Sequence, residues 1–288
     1  MTDFQRATAV HEVAPGRFTS SIDGDWSTPI GPNGGYVAAL AVRALEAGMN
    51  AGGERRLRSV TLHYMRSPAV GHIDLTVEAA RTGRRFSTGR LTATQDGREV
   101  LAAIATFGAP ELEQIMSWSY PMPEVLPPPA WDAGTQEPAE YRPKAGMWVA
   151  PTDGPATLPH RLRLAPRLGH PPFARVPVRE GGPMTGGWLT LAEQQAIDSA
   201  YVALCVDAWW PPAWEVLTVP ATMATLDLTI HIRGDIPPGG IEHQPLLGRY
   251  TSRAAINGLI DEDGDLFLAD GTLIAQSRQL ALFTPFHP

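Results

Sequence analysis

The side chains of this sequence that could do chemistry are mainly carboxylates, amides and hydroxyls. Cys205 is the single cysteine, and the eight histidines are scattered from His11 to His287 without the tight spacing of a zinc site. No Gly-x-Ser-x-Gly elbow, Walker-type phosphate loop, dinucleotide fingerprint or HExxH motif is present. The expectation is therefore chemistry with no metal and no cofactor. One carboxylate stands out. Asp207 falls at the end of an apolar stretch, flanked by Val206, Ala208, Trp209 and Trp210. In the last turn of a helix it would meet the negative end of the dipole, at a cost on the order of 0.3–1 kcal/mol. Apolar surroundings would raise its pKa. A carboxylate so placed either serves as a base or escapes to solvent or to a neighbouring loop. Asn33, Gly34 and Gly35 precede a second apolar stretch. They fit an oxyanion site at a helix N-terminus, and equally a glycine turn with an Asn cap. Arg81, Arg84, Arg85 and Arg90 form a local basic cluster, suited either to phosphates or to a solvated strand face.

The elements that must position these residues can be read from periodicity. YVAALAVRALEAG predicts a helix over about 35–47, apolar on nearly every side and so buried on nearly every side. RSVTLHYMR, HIDLTVEA, RRFSTGRLTAT and EVLAAIATF then predict four strands, the last two joined at Asp96-Gly97. The plan repeats later. GGWLTLAEQQAIDSAYVALCVDAWWPP predicts a second helix over about 191–210, closed by Pro211 and Pro212. ATLDLTIHIR, LLGRYTSRAAIN, GLIDEDGDLFLA and TLIAQSRQLALF follow as strands, and FARVPVRE reads as a short strand before them. In ATLDLTIHIR, alternation puts Leu226, Leu228, Ile230 and Ile232 on the core face and Thr225 on the other. Fifteen of the 28 prolines fall between Ser117 and Gly186, which sets this segment apart from both flanks. PATLPHRLRLAPRLGHPP is expected to hold neither helix nor central strand. The expected organisation is a first unit at 1–115, a proline-rich linker at 116–160 and a second unit at 161–288. Each unit would be a buried helix wrapped by antiparallel strands, with the two sheets paired edge to edge.

Composition closes off several classes. The 288 residues carry 30 acidic and 23 basic side chains, for a net charge of −7, which argues against nucleic-acid binding. No apolar run approaches the ~18 residues of a membrane span. The start, MTDFQRATAV, lacks the basic-then-apolar order of a secretory signal, and a lone cysteine fits a reducing cytoplasm.

With these residues in this order, the chain resembles the double-hotdog acyl-CoA thioesterases, the type II or TesB-like group. The resemblance rests on PNGGYVAALAVRAL, SVTLHYMRSP and RRFSTGRLTATQDG in the first half. In the second it rests on ALCVDAWWPP, ATLDLTIHIR and DGTLIAQSRQLALF. It implies an α+β fold of two tandem hotdogs. It also implies hydrolysis of an acyl-CoA to free acid and coenzyme A, a role in lipid metabolism, and no cofactor. By the same resemblance, Asp207, Thr225 and Gln279 match the family's carboxylate, hydroxyl and amide that hold the attacking water. Read alone, Thr225 is an ordinary strand threonine and Gln279 a surface glutamine. The Arg84 and Arg85 pair becomes a candidate for the coenzyme A phosphates. Trp209, Trp210 and Trp214 fit the core or the wall of an acyl tunnel, and Cys205 fits the core. The alternatives are a non-catalytic acyl-CoA-binding protein with a relic site, and a hotdog dehydratase or hydratase. The latter needs a catalytic histidine, and His63 and His231 sit on strands. Two hotdogs leave sheet faces open, so a homodimer or higher oligomer is expected.

Overall fold

The computed structural model describes residues 1–28, 30–49, 55–109, 115–131, 158–219 and 221–285. The chain opens on α1 (Asp3–Ala7), started by a capping box between Thr2 and Gln5. The hairpin β1 (His11–Ala14) and β2 (Arg17–Ile22) follows. A small ribbon, β3 (Ser27–Thr28) with β4 (Gly31–Pro32), leads into α2 (Gly34–Met49). Then come β5 (Arg56–Tyr64), β6 (Gly71–Arg81), β7 (Phe86–Gln95) and β8 (Arg98–Gly108). Asp96 and Gly97 both take positive φ, 49° and 70°, giving the tight hairpin that the Asp-Gly pair predicts.

The second half repeats the order. It contains α3 (Leu158–Arg161), β9 (Leu162–Leu168), β10 (Met184–Leu191), α4 (Ser199–Cys205) and β11 (Ala221–Ile232). The chain continues through β12 (Leu246–Thr251), β13 (Ala255–Ile256), β14 (Leu259–Phe267) and β15 (Leu273–Pro285). Twelve strands form one path, β1-β2-β6-β7-β8-β5-β11-β15-β14-β12-β10-β9, with β13 attached to β14. Every pairing is antiparallel, from the β1–β2 hairpin to the seam β5–β11. The strand order of one half mirrors that of the other about this seam, where the Thr61 and Thr229 hydroxyls meet at 3.0 Å.

α2 is buried from Gly35 to Val42 and again at Ala44 and Leu45, as its all-round apolar character requires. It packs on α4 closely enough that a Cβ on Gly35 would lie 2.7 Å from the Leu204 carbonyl oxygen. Only glycine permits that approach.

Three sequence readings are corrected. The second helix is far shorter than 191–210: Asp198 caps it, and it ends at Cys205, so Asp207 lies beyond it. Met184 to Leu191 is instead strand β10. Leu189 and Leu191 face the helices while Trp188 enters a separate cluster with Leu247 and Phe267 on the other face. A strand buried on both faces reads as a continuous apolar run, which periodicity cannot tell from a buried helix. FARVPVRE forms no strand. The proline-rich stretch holds no central strand, as expected: its strand β9 closes the edge of the sheet, where Pro166 is accommodated.

Residues 115–131, read as the start of a linker, supply Tyr120, Met122, Val125 and Trp131 to that second cluster. Leu126 accepts a 2.8 Å hydrogen bond from Trp188 Nε1. The remainder of the segment through 157 lies outside the described residues.

Candidate active site

Asp207 sits where the end of α4 meets the start of α2. The peptide N–H of Gly35 donates to its Oδ2 at 2.7 Å. The Asn33 amide donates to the same oxygen at 3.2 Å and to the Asp207 carbonyl at 2.9 Å. Asn33 also caps α2, since its Oδ1 accepts from the Tyr36 N–H at 2.9 Å. Of the two sequence readings of Asn33, the structure shows the helix cap; its grip on the Asp207 carboxylate is a contact the sequence reading did not include. The fit is tight, for a Cβ on Gly34 would stand 2.8 Å from Asp207 Oδ2.

The other carboxylate oxygen, Oδ1, accepts from Gln279 Nε2 at 3.2 Å. Gln279 Oε1 in turn accepts from the Thr225 hydroxyl at 2.9 Å. Gln279 is buried and faces inward on β15, unlike the surface glutamine of its plain sequence reading. Thr225 also faces inward, against the expected alternation. The register steps from Thr225↔Ala281 to Asp227↔Leu280, so β11 carries one extra residue, Leu226. This β-bulge turns Thr225 onto the face of Leu228 and Gln279 and leaves Leu226 exposed.

The three groups thus form a relay, Thr225 to Gln279 to Asp207. Every hydrogen bond to the Asp207 carboxylate comes from a donor, the arrangement that suits an ionised acid. Burial acts the other way and is the larger effect, so its pKa is pushed up to about 6. Tyr64 closes the site by donating to the Gly34 carbonyl at 2.8 Å. Burial and the neighbouring Asp207 hold its hydroxyl well above the usual tyrosine range. Sequence reading passed over Tyr64. It also passed over Glu262 of β14, which lies directly opposite Gln279 and accepts from its Nε2 at 3.0 Å.

The remaining candidates lie elsewhere. Arg84 and Arg85 are exposed in the connection between β6 and β7. Gly89 of β7 packs on Met49, the last residue of α2, which lies about 24 Å along the helix axis from the Asp207 end. Cys205 is buried in the core, and burial pushes its thiol up. Trp209 is a core residue, donating to Thr185 Oγ1 at 2.9 Å and stacking on Tyr250. His63 and His231 are exposed. Among the described residues, no group of three or more His, Cys, Asp or Glu is arranged to hold a metal ion.

The pseudo-symmetric position is built differently. Tyr36 and Tyr201 occupy the same place, each donating its N–H to the capping side chain three residues earlier, Asn33 and Asp198. In that alignment Asp207 corresponds to Val42. Where Asn33 and Asp207 meet at one end of the α2–α4 contact, Arg43 and Asp198 pair at 2.7 Å at the other. That end opens into a cleft of about 350 Å³ lined by Arg43, Glu46, Arg58 and Asp198 among others.

Solved structures share this architecture. A candidate thioesterase II from Thermobifida fusca YX superposes with a TM-score of 0.77 at 25% identity, over 98% of each chain. A conserved hot dog fold protein from Alicyclobacillus acidocaldarius gives 0.78 at 23% identity over 100% of each. The acyl-CoA thioesterase II TesB2 of Mycobacterium marinum gives 0.72 at 17% over 98% of each. An uncharacterized protein of Mycobacterium tuberculosis strain H37Rv is 30% identical over 99 residues. The match spans about a third of the length of the curated relatives, 33% of each sequence. Residues 22–108 match the model of the acyl-CoA thioesterase N-terminal domain and residues 123–283 that of the C-terminal domain, so the chain belongs to the acyl-CoA thioesterase family.

Proposed function

We propose that the protein hydrolyses an acyl-CoA thioester to a free acid and coenzyme A, with Asp207 as general base. The observation that carries this reading is the convergence of Asp207, Gln279 and Thr225 from a helix end, the last strand and a bulged strand. Only the folded chain brings them together. A water beside Asp207 Oδ1 donates one hydrogen to the carboxylate, and its oxygen attacks the thioester carbon. The Asp207 carboxylate takes that proton as the carbon–oxygen bond forms. The carbonyl oxygen, now negative, is received at the Gly34 peptide N–H at the start of α2, the Gly35 N–H being already engaged by Asp207. Collapse of the tetrahedral species breaks the carbon–sulfur bond, and the thiolate leaves and takes up a proton. Thr225 and Gln279 orient the water and the base. A thiolate is a good leaving group, so activity should survive chelators.

The test is kinetic. Asp207→Asn keeps the shape and removes the base, and general base catalysis is typically worth ~10²–10⁴ in rate. kcat should fall by that order with KM within a few-fold. Thr225→Val and Gln279→Ala should cost less, since each only orients. Near-full rate in Asp207→Asn would overturn the assignment of the base, while no hydrolysis by the wild-type protein in a screen across acyl chain lengths would favour a non-catalytic acyl-CoA binder.

A further inference from the structure

β14 carries four acids, and three of them behave alike. Asp261 and Asp263 pair with Arg278, Asp263 also with Arg253, and Asp265 with Arg249, all on one side of the strand. Glu262 points the other way, into the core, and is only 6% exposed. No cation meets it among the described residues. Its Oε1 accepts from Gln279 Nε2, and its Oε2 is buried without a hydrogen-bond partner. Such a group is expensive to bury and no cation compensates it, so it is retained against stability.

The amide of Gln279 explains what it gains. A carboxamide offers two N–H donors and one carbonyl acceptor. Here one donor faces Asp207, the other faces Glu262, and the carbonyl faces the Thr225 hydroxyl. Rotating the amide by 180° would set its oxygen against two carboxyl groups. Building on the reading of Asp207 as the base, we infer that Glu262 is a positioning residue. It locks Gln279 in the one orientation that presents an N–H to Asp207. Glu262 acts in this role as an acceptor, through Oε1. Burial first, and the Asp207 charge second, hold its pKa well above the usual carboxylate range. The groups facing it are Asp207, Gln279 and the Tyr250 ring, with Asp261 and Asp263 beside it in the strand.

The experiment compares Glu262→Leu and Glu262→Gln with the wild-type enzyme, alone and combined with Gln279→Ala. Misplacing a group by about 1 Å can cost on the order of a hundredfold. Glu262→Leu should lower kcat by about ten- to hundredfold at unchanged KM, while its melting temperature holds or rises because a buried acid is gone. Glu262→Gln keeps an acceptor at Oε1 and should recover kcat to within about threefold. It should also leave the acid limb of the pH profile in place. In the Gln279→Ala background, Glu262→Leu should cost nothing further. If Glu262→Leu does not fold, Glu262→Met takes its place with the same expectations. A folded Leu or Met variant with wild-type kcat overturns the inference. So does a Gln variant as impaired as Leu, or full additivity with Gln279→Ala. If Asp207→Asn is inactive in the same assay while Glu262→Leu is not, only the role of Glu262 falls. If neither lowers the rate, the reading of Asp207 falls with it.

Discussion

Asp207 receives three hydrogen bonds from donors, yet burial outweighs them and lifts its pKa from 3.8 to about 6. Because the base must be ionised to accept a proton, kcat/KM should fall on the acid side with an apparent pKa of about 6, dropping tenfold per pH unit below it. An acid limb near 4 would mean that the carboxyl is solvated and the site open. The same shift bears on stability, with a definite sign. The folded state holds this proton more tightly than the unfolded chain does. The contribution is therefore fully present below about pH 4 and lost as pH rises through 6, on the order of 3 kcal/mol. At working pH the molecule carries that loss for the sake of a base. How much of this was legible varies by residue. Asp207 was visible in the sequence because a charge among Val206, Ala208, Trp209 and Trp210 is anomalous in itself. Thr225 and Gln279 were not, because a β-branched strand residue and a strand amide are ordinary; only the resemblance singled them out. Glu262 had a signal that was missed. Ile260, Glu262 and Leu266 share one strand face by simple alternation, and an acid between two core aliphatics should have been questioned.

The contact of α2 with α4 and the bulge in β11 do most to build the site. At the helix contact, Gly35→Ala adds a Cβ within 2.7 Å of Leu204 O and 2.9 Å of Ala203 O and Asp207 Cβ. Overpacking of this kind costs about 1–3 kcal/mol. A lowered melting temperature together with a loss of rate larger than stability explains is the expected result, because the base is displaced as well. In β11, deleting Leu226 removes the extra residue and restores regular pairing. Thr225 would then directly precede Asp227 and stay opposite Ala281, on the inward face that regular alternation now assigns it. The protein should stay folded and keep a rate within a few-fold of wild type; a rate as low as that of Thr225→Val would show that Thr225 has left the site. Bulges leave no reliable mark in a single sequence, which is why alternation misplaced both Thr225 and Leu226. The strands of the first half were legible because each runs nine or more residues and alternates over much of that length. β10 was not, since Trp188 and Leu189 are both buried, on opposite faces. The Asn257-Gly258 pair, with φ of 55° and 76°, makes the turn into β14, and its sequence signal was there to be used.

Across the whole molecule, one unbroken sheet joins the halves through the β5–β11 seam, and its end strands are β1 and β9. Ile256, Leu259 and Leu282 form an exposed apolar strip on the second half, with Leu259 paired to both of the others across β13 and β15. The expectation from sequence of a homodimer or larger assembly stands as a proposal. Light scattering at micromolar concentration should return a multiple of the single-chain mass, and a strictly monomeric mass would count against it. The pseudo-two-fold axis has a further consequence. In an assembly of identical chains, every substitution appears at both symmetric places at once, and neither can change without the other. Here the two places lie on one chain at different positions in the sequence. One can keep Asp207 while its counterpart becomes Val42, and one can hold an anion against an amide while the other holds Arg43 against Asp198. Covalent fusion thus gives each end its own mutational history. Selection on one end no longer constrains what the opposite end becomes.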